Sequence, residues 1–397
     1  LIMRKNRILF VSIVSMLICF NIGCQKSNMY NNTPSDNSYM NIAFENNFIV
    51  DSPNIDSFET FELKRKSDLS GQELYTRFDE TVEKYFPNIF SNEEKKNLYK
   101  INGIDYNGNF LEGNFIENKD KIMNGEVPVP SLWFTSEKAM VQMEANGATQ
   151  TITGSVAYNL DNPDTDTIGM YCAADSNEIV EKIHITTSGF ENDMEYNLFN
   201  GNVKIKDAID YTESFLNNEF DNGIANPDLI ADITDAWIVD MDNGIYGYHF
   251  WLTSTYNDIR FDIFPMKEAM GFSHDMSTCK PYDIYPGYAF MIENDKLDSI
   301  MAFGYKRAYN IENIQSHNMK ITFDDAAKIL SDSISDIASM KISRAEFVYT
   351  PYQENESDNT QLNVEAAWKF SAINQNDNLG YIFYVNAVTG EVDYYTY

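Results

Sequence analysis

The sequence predicts an α+β protein made of multiple helix-on-antiparallel-sheet units. Three observations lead there. Apolar residues recur every three or four positions after Ser70, Lys204 and Ile321, and each such stretch is followed by runs in which apolar residues alternate. Gly, Asn, Asp and Pro interrupt the alternating runs at turn-sized intervals. A helix with one apolar stripe and a strand with one apolar face each need a cover, and pairing them buries both. The expected layout is a signal at 1–23, a polar tether at 24–50, an N-terminal α+β region at 51–198, a central α+β unit at 199–314 and a C-terminal unit at 315–397.

At the amino terminus Arg4, Lys5 and Arg7 precede an apolar run from Ile8 to Phe20, then Asn21, Ile22, Gly23 and Cys24. As a helix the run rises about 20 Å, short of the roughly 30 Å hydrocarbon core, which predicts a processed export signal rather than a span. The order resembles bacterial lipoprotein signals, although Asn21 stands where an aliphatic residue is usual. That resemblance implies that Cys24 is lipidated and becomes the mature amino terminus. The protein is then extracytoplasmic, anchored to the cell membrane by acyl chains. Gln25 to Asn41 is polar and reads as a spacer, whereas the more apolar residues up to Val50 are able to pack on the body. Of the later cysteines, Cys172 and Cys279 either pair in an oxidising compartment or stay as two buried thiols.

In the body, Ser70 and Glu73 form a capping-box pattern ahead of Leu74, Phe78, Val82, Tyr85 and Phe86, with Pro87 as the stop. A second polar-faced helix follows Ser91. From Asn102 the pattern favours turns and strands, including 149–158 and 182–188. A helix then turns Ile205, Ala208, Ile209, Thr212, Phe215, Leu216 and Phe220 inward and leaves Asp207, Asp210, Glu213 and Glu219 in water. Trp237 and Val239 lead through Asn243-Gly244 to Tyr246, Tyr248, Phe250 and Leu252, a hairpin that Phe261 and Ile263 extend. Another hairpin is expected around Ala289 and Ala302. Thr322 and Asp325 cap a helix carrying Phe323, Ala326, Ala327, Leu330, Ile334 and Ile337 on one face. Three strands close the chain: Ala366 to Ala372, Tyr381 to Val385, and Val392 to Thr396.

The ITFDDAAKIL helix and the final YVNAVTGEV segment resemble the small exported PepSY-like module over about 315 to 397. The IKDAI helix with AWIVDM and its hairpin resembles a diverged second copy over about 203 to 264. The whole chain is similar to a clostridial lipoprotein family of unassigned function. The resemblance implies inhibitory, sensory or assembly roles rather than catalysis.

The formal charge of -31 makes a phosphate-backbone partner unfavourable and argues against nucleic acid. Asp161, Asp164 and Asp166, and separately Asp240 and Asp242, offer oxygen ligands for Ca²⁺, yet neither group has EF-hand spacing. The histidines at 184, 249, 274 and 317 never form HExxH, and no GxSxG, P-loop or Rossmann fingerprint occurs. No catalytic residue and no firm cofactor is therefore assigned. Trp237, Tyr246, Tyr248 and Trp251 are the candidate binding rings, suited to an envelope protein, peptide or glycan. The expected function is a surface-tethered, noncatalytic binding or regulatory lipoprotein. Its alternatives are an envelope carbohydrate or peptidoglycan hydrolase using acidic residues, and a calcium-stabilised adhesion module.

Overall fold

The structure is a computed structural model that describes residues 41–66, parts of 70–80, 99–104, 110–114, 131–135, 140–144, 150–153, 179–187, 190, 193–198, 201–219, 226–240, 244–262, 287–291, 300–303, 309–334, 339–352 and 361–396. The first described elements are β1 (Ile42–Asp51) and β2 (Ser57–Arg65). Next come β3 (Tyr99–Ile104), β4 (Phe110–Asn114), β5 (Ser131–Thr135), β6 (Met140–Glu144) and β7 (Gln150–Thr153). β8 (Ile179–His184), the small hairpin β9 (Glu195–Leu198) and β10 (Gly201–Lys204), and helix α1 (Ile205–Ser214) follow. The middle of the chain holds β11 (Ile230–Asp240), β12 (Tyr246–Tyr256), β13 (Ile259–Phe261), β14 (Gly287–Met291) and β15 (Ile300–Phe303). The last part is β16 (Tyr309–Asn318), α2 (Phe323–Ser333), β17 (Met340–Tyr352), β18 (Gln361–Asn374), β19 (Gly380–Asn386) and β20 (Val392–Thr396).

Among the described residues, the strands other than β9 and β10 form one continuous 18-stranded mixed sheet, so the protein is mostly β. This corrects the α+β expectation of separate helix-on-sheet units with a PepSY-like C-terminal unit. Among the described residues, α1 and α2 are short, 10 and 11 residues, and each spans only about 15 Å of sheet. The strands, by contrast, run through the expected unit boundaries. β17 holds β1 and β13 in parallel along one edge and β18 antiparallel along the other. β18 in turn pairs with β19 near its C-terminal end and with β2 at its start. β13 is also the return of the β11–β12 hairpin, and through it the β8–β11–β12–β14 strands join the C-terminal ones.

Three expected boundaries fall inside pairing units. The stretch 42–50, assigned to the tether, belongs to β1 and meets Met340 to Ala345 of β17. The boundary at 198/199 lies within the β9–β10 hairpin, and that at 314/315 cuts β16. Periodicity reveals which residues share a face, but not a parallel partner about three hundred positions away.

Local elements follow the sequence more closely. The side chains of Thr322 and Asp325 complete a reciprocal capping box at α2, and Ser70 and Glu73 do the same before helical residues at 71–73. Ala326, Ala327 and Leu330 of α2 lie on Ala366, Trp368, Phe370, Ala372, Phe383 and Val385, joined by Phe58, Phe61 and Leu63 of β2. Fully burying a leucine or phenylalanine among them contributes about 1.5–3 kcal/mol. In α1 Ile205, Ala208, Ile209, Thr212, Phe215 and Leu216 of the predicted inward stripe are buried, Phe220 lies outside the described residues, and the helix continues into a π-helical turn at Phe215–Glu219.

Candidate functional site

Strand alternation sends the odd-numbered side chains of β18 away from α2. In register, Glu346 of β17, Lys369 of β18 and Tyr384 of β19 therefore share the opposite face. The β8, β11 and β13 strand ends bring His184, Asp232, Asp235 and Arg260 to the same place, and Asp51 enters from the end of β1. The result is a buried charge network at the junction of the sheet.

Arg260 is its centre. Its Nε and Nη2 donate to the two oxygens of Asp232 at 2.5 and 3.0 Å, a bidentate pair, while Nη1 donates to Asp51 Oδ2 at 3.1 Å and to the Ile185 carbonyl at 2.6 Å. Burial alone lowers a guanidinium's pKa, but Asp232 and Asp51 outweigh it and keep Arg260 charged. The other oxygen of Asp51 accepts from the Thr187 backbone N–H at 2.8 Å and its hydroxyl at 2.6 Å. Burial raises the Asp51 pKa, yet His184, Arg260 and Thr187 bring it down to about 2. Asp51 is thus a firmly ionised carboxylate.

A second knot adjoins it. Lys369 Nζ donates to Asp262 Oδ1 at 2.7 Å and lies 3.7 Å from Glu346, and the Tyr384 hydroxyl donates to the other Asp262 oxygen. Burial opposes the charge of Glu346, but Lys369 and Arg344 hold its pKa below the usual value. His184 bridges the two knots. As a neutral ring it accepts from Arg344 at Nδ1, 3.0 Å, and donates from Nε2 to Asp51, 3.3 Å; protonated, its Nδ1–H faces Asp235 at 3.5 Å. Burial pushes its pKa down, while Asp235 and Asp51 push harder and raise it overall. Glu213 of α1, expected in water, accepts from the Ile233 N–H at 2.9 Å, and burial with the nearby Asp232 lifts its pKa to about 7.

Asp51, His184 and Glu346 bring three ligand atoms within 4.8 Å of one another, the geometry of a small metal site. The chemistry does not fit one. Arg260 lies 3.1 Å from Asp51, and Arg344 and Lys369 lie 3.9 and 3.7 Å from Glu346, so side-chain cations already supply the positive charge. A divalent ion there would meet three fixed like charges.

Of the candidate binding rings, Tyr248 and Trp251 are buried, at 0% and 2% exposure. The Tyr248 hydroxyl donates to the Val203 carbonyl at 2.5 Å, which ties the β9–β10 hairpin to β12, and Trp251 meets Trp237 at 5.4 Å. They are core because β12 is covered on both faces, so its run does not alternate wet and dry. Trp237 is half-buried with Lys182 Nζ 4.3 Å above its ring, and Tyr246 is half-buried against Tyr196. His249 is buried between Trp237 and Trp251, and desolvation lowers its pKa to about 4, consistent with a packing role. Of the calcium candidates, Asp240 is exposed at the end of β11, and Asp161, Asp164, Asp166 and Asp242 lie outside the described residues, as do Cys24, Cys172 and Cys279.

Sequence reasoning missed Asp51, Asp262, Arg260, Glu346 and Lys369. A usable signal was present at two of them. Arg260 sits between Ile259 and Phe261, and Lys369 between Trp368 and Phe370, each an isolated cation inside a run otherwise fit for burial.

No family model matches the chain, and no curated protein does. Among solved structures, an uncharacterized protein from Eubacterium rectale aligns with 89% of this chain and 89% of its own at 10% identity and a TM-score of 0.45. The Bacillus megaterium YpeB C-terminal domain aligns with 48% of this chain and 97% of its own at 15% identity and a TM-score of 0.14. Both likenesses are too distant to carry a fold or a function across.

Proposed function

We propose that this chain is a noncatalytic binding or regulatory lipoprotein, held outside the cell membrane through Cys24. One observation supports the noncatalytic half: four of the carboxylates at the junction, Asp51, Asp232, Asp262 and Glu346, lie against fixed cations. Asp51 is held by Arg260, and Asp262 by Lys369 and Tyr384. An acid–base pair for glycoside hydrolysis needs two carboxyl groups facing each other across an open space, one of them poised to give up a proton. Asp51 is instead buried and pinned as an anion near pKa 2. The tether is supported by the basic, apolar and Gly23-Cys24 order of the amino terminus.

Crosslinking on intact cells, followed by identification of bound proteins, tests the binding role. A reproducible partner that competes with added soluble protein is expected. No reproducible partner, together with turnover of an envelope glycan by the purified chain, would replace this reading with the hydrolase. For the anchor, Cys24→Ala is expected to move the protein from the membrane fraction to the medium and to abolish incorporation of a labelled fatty acid.

A further inference from the structure

On the face that carries Lys369 and Tyr384, β17, β18, β19 and β20 line an open pocket of about 100 Å³. Its rim combines two chemistries. Tyr352, Tyr384 and Tyr395 present rings, and Glu365, Glu391 and Asp393 present carboxylates, with no basic side chain among the lining residues. The carboxylate of Glu365 is oriented in advance, since Oε1 accepts from the Tyr352 hydroxyl at 3.1 Å and Oε2 from Asn386 Nδ2 at 2.6 Å. Tyr384 is fixed from behind by its bond to Asp262.

The size selects the class of ligand. Pockets that enclose a small molecule run from about 300 Å³ upward, so this open pocket of about 100 Å³ suits a side-chain-sized group. The charge selects its sign. Three carboxylates on a chain of net charge -31 repel anions and draw in cations. Aromatic faces beside carboxylates attract a guanidinium or an ammonium by cation–π contact and by charge-assisted hydrogen bonds.

We propose that this pocket receives one arginine or lysine side chain presented by a basic segment of a partner protein. The inference rests on the binding role proposed above and adds the site and the chemistry of the partner's anchor. The planar guanidinium suits it best, because Glu365 accepts a fork of N–H donors while a tyrosine ring takes the flat face.

The test is isothermal titration of the full chain with an acetylated Gly/Ser nonapeptide that carries a central arginine flanked by two lysines. A second peptide has citrulline, neutral and nearly isosteric, at the centre. The arginine peptide should bind about tenfold tighter, the scale expected for losing one charge-assisted contact. Glu365→Gln and Tyr395→Ala should each erase that preference while leaving the thermal midpoint within a few degrees of the parent. Two variants are used so that a folding defect in one leaves the other to decide. Equal affinity for both peptides, or an arginine preference that survives both substitutions, would show attraction to the acidic body alone and overturn the proposal. If the peptides fail while the intact-cell crosslink persists, the pocket assignment falls and the binding role stands; if both fail, the binding role falls with it.

Discussion

The middle stretches of strands β17 and β18 bury both of their faces, with opposite materials. Toward α2 they present Ala345, Phe347, Ala366, Trp368 and Phe370, an aromatic and aliphatic surface. Toward β8 and β11 they present Arg344, Glu346 and Lys369, which meet His184 and Asp262. Alternation with period two makes either face possible, but the sources of order differ. The apolar side gains from area removed from water and tolerates imperfect fit; the ionic side must first recover the large cost of desolvating its charges, and does so only where every group finds a partner. The dry face supplies stability and the charged face specifies the junction. A shift of β13 along β17 would part Arg260 from Asp51 and Asp232, whereas a small slip under α2 would merely exchange one apolar contact for another.

The comparison can be broken most forcefully at Arg260. Arg260→Met leaves Asp51 and Asp232 buried without their cation and should lower unfolding free energy by about 3–5 kcal/mol, measured by urea denaturation. Its loss should grow with pH above the acid range. Asp51 contributes stability above its ordinary value of 3.8, and that contribution disappears as pH falls toward about 2. His184 acts in the reverse sense, stabilising below its ordinary 6.5 and ceasing to do so as pH rises through its higher folded value.

On the dry face, Leu330→Ala should cost about 3 kcal/mol through lost burial and a residual cavity, with little dependence on salt or pH. The smallest effect has the opposite sign. With a folded pKa of about 7 against an ordinary 4.5, Glu213 weakens the fold progressively as pH rises between those values. Glu213→Gln keeps an acceptor for the Ile233 N–H and should stabilise by roughly 1–3 kcal/mol at pH 8, and by almost nothing at pH 4. A thermal-melt series across that range checks it.

How much of this was legible in the sequence divides along the same line. The capping boxes at Ser70 and Thr322, the α1 stripe, the β11–β12 hairpin and the alternation from Ala366 to Ala372 follow from spacing, because helices and hairpins depend on residues close in the chain. The union of all units in one sheet does not. It depends on parallel pairings of β17 with β1 and β13, for which no local signal exists. The candidate site was hidden for a related reason: a charged residue at an alternate position reads as wet, and only the tertiary fold shows that Lys369 and Glu213 face a second layer instead of water. Tyr248 and Trp251, singled out as candidate binding rings, are buried because β12 is covered on both sides.

A double-mutant cycle on Lys369 and Asp262, which are 10% and 0% exposed and 2.7 Å apart, tests the buried ionic junction most directly. Unfolding free energies of the parent, Lys369→Met, Asp262→Asn and the double variant, each in low salt and in 1 M NaCl, give the coupling between the two groups. The account predicts a coupling above about 1.5 kcal/mol that persists at high salt, where the screening length in water is about 3 Å. A coupling near zero, or one that vanishes in 1 M NaCl, would mean that the pair stands in solvent and that no charged junction holds the sheet together.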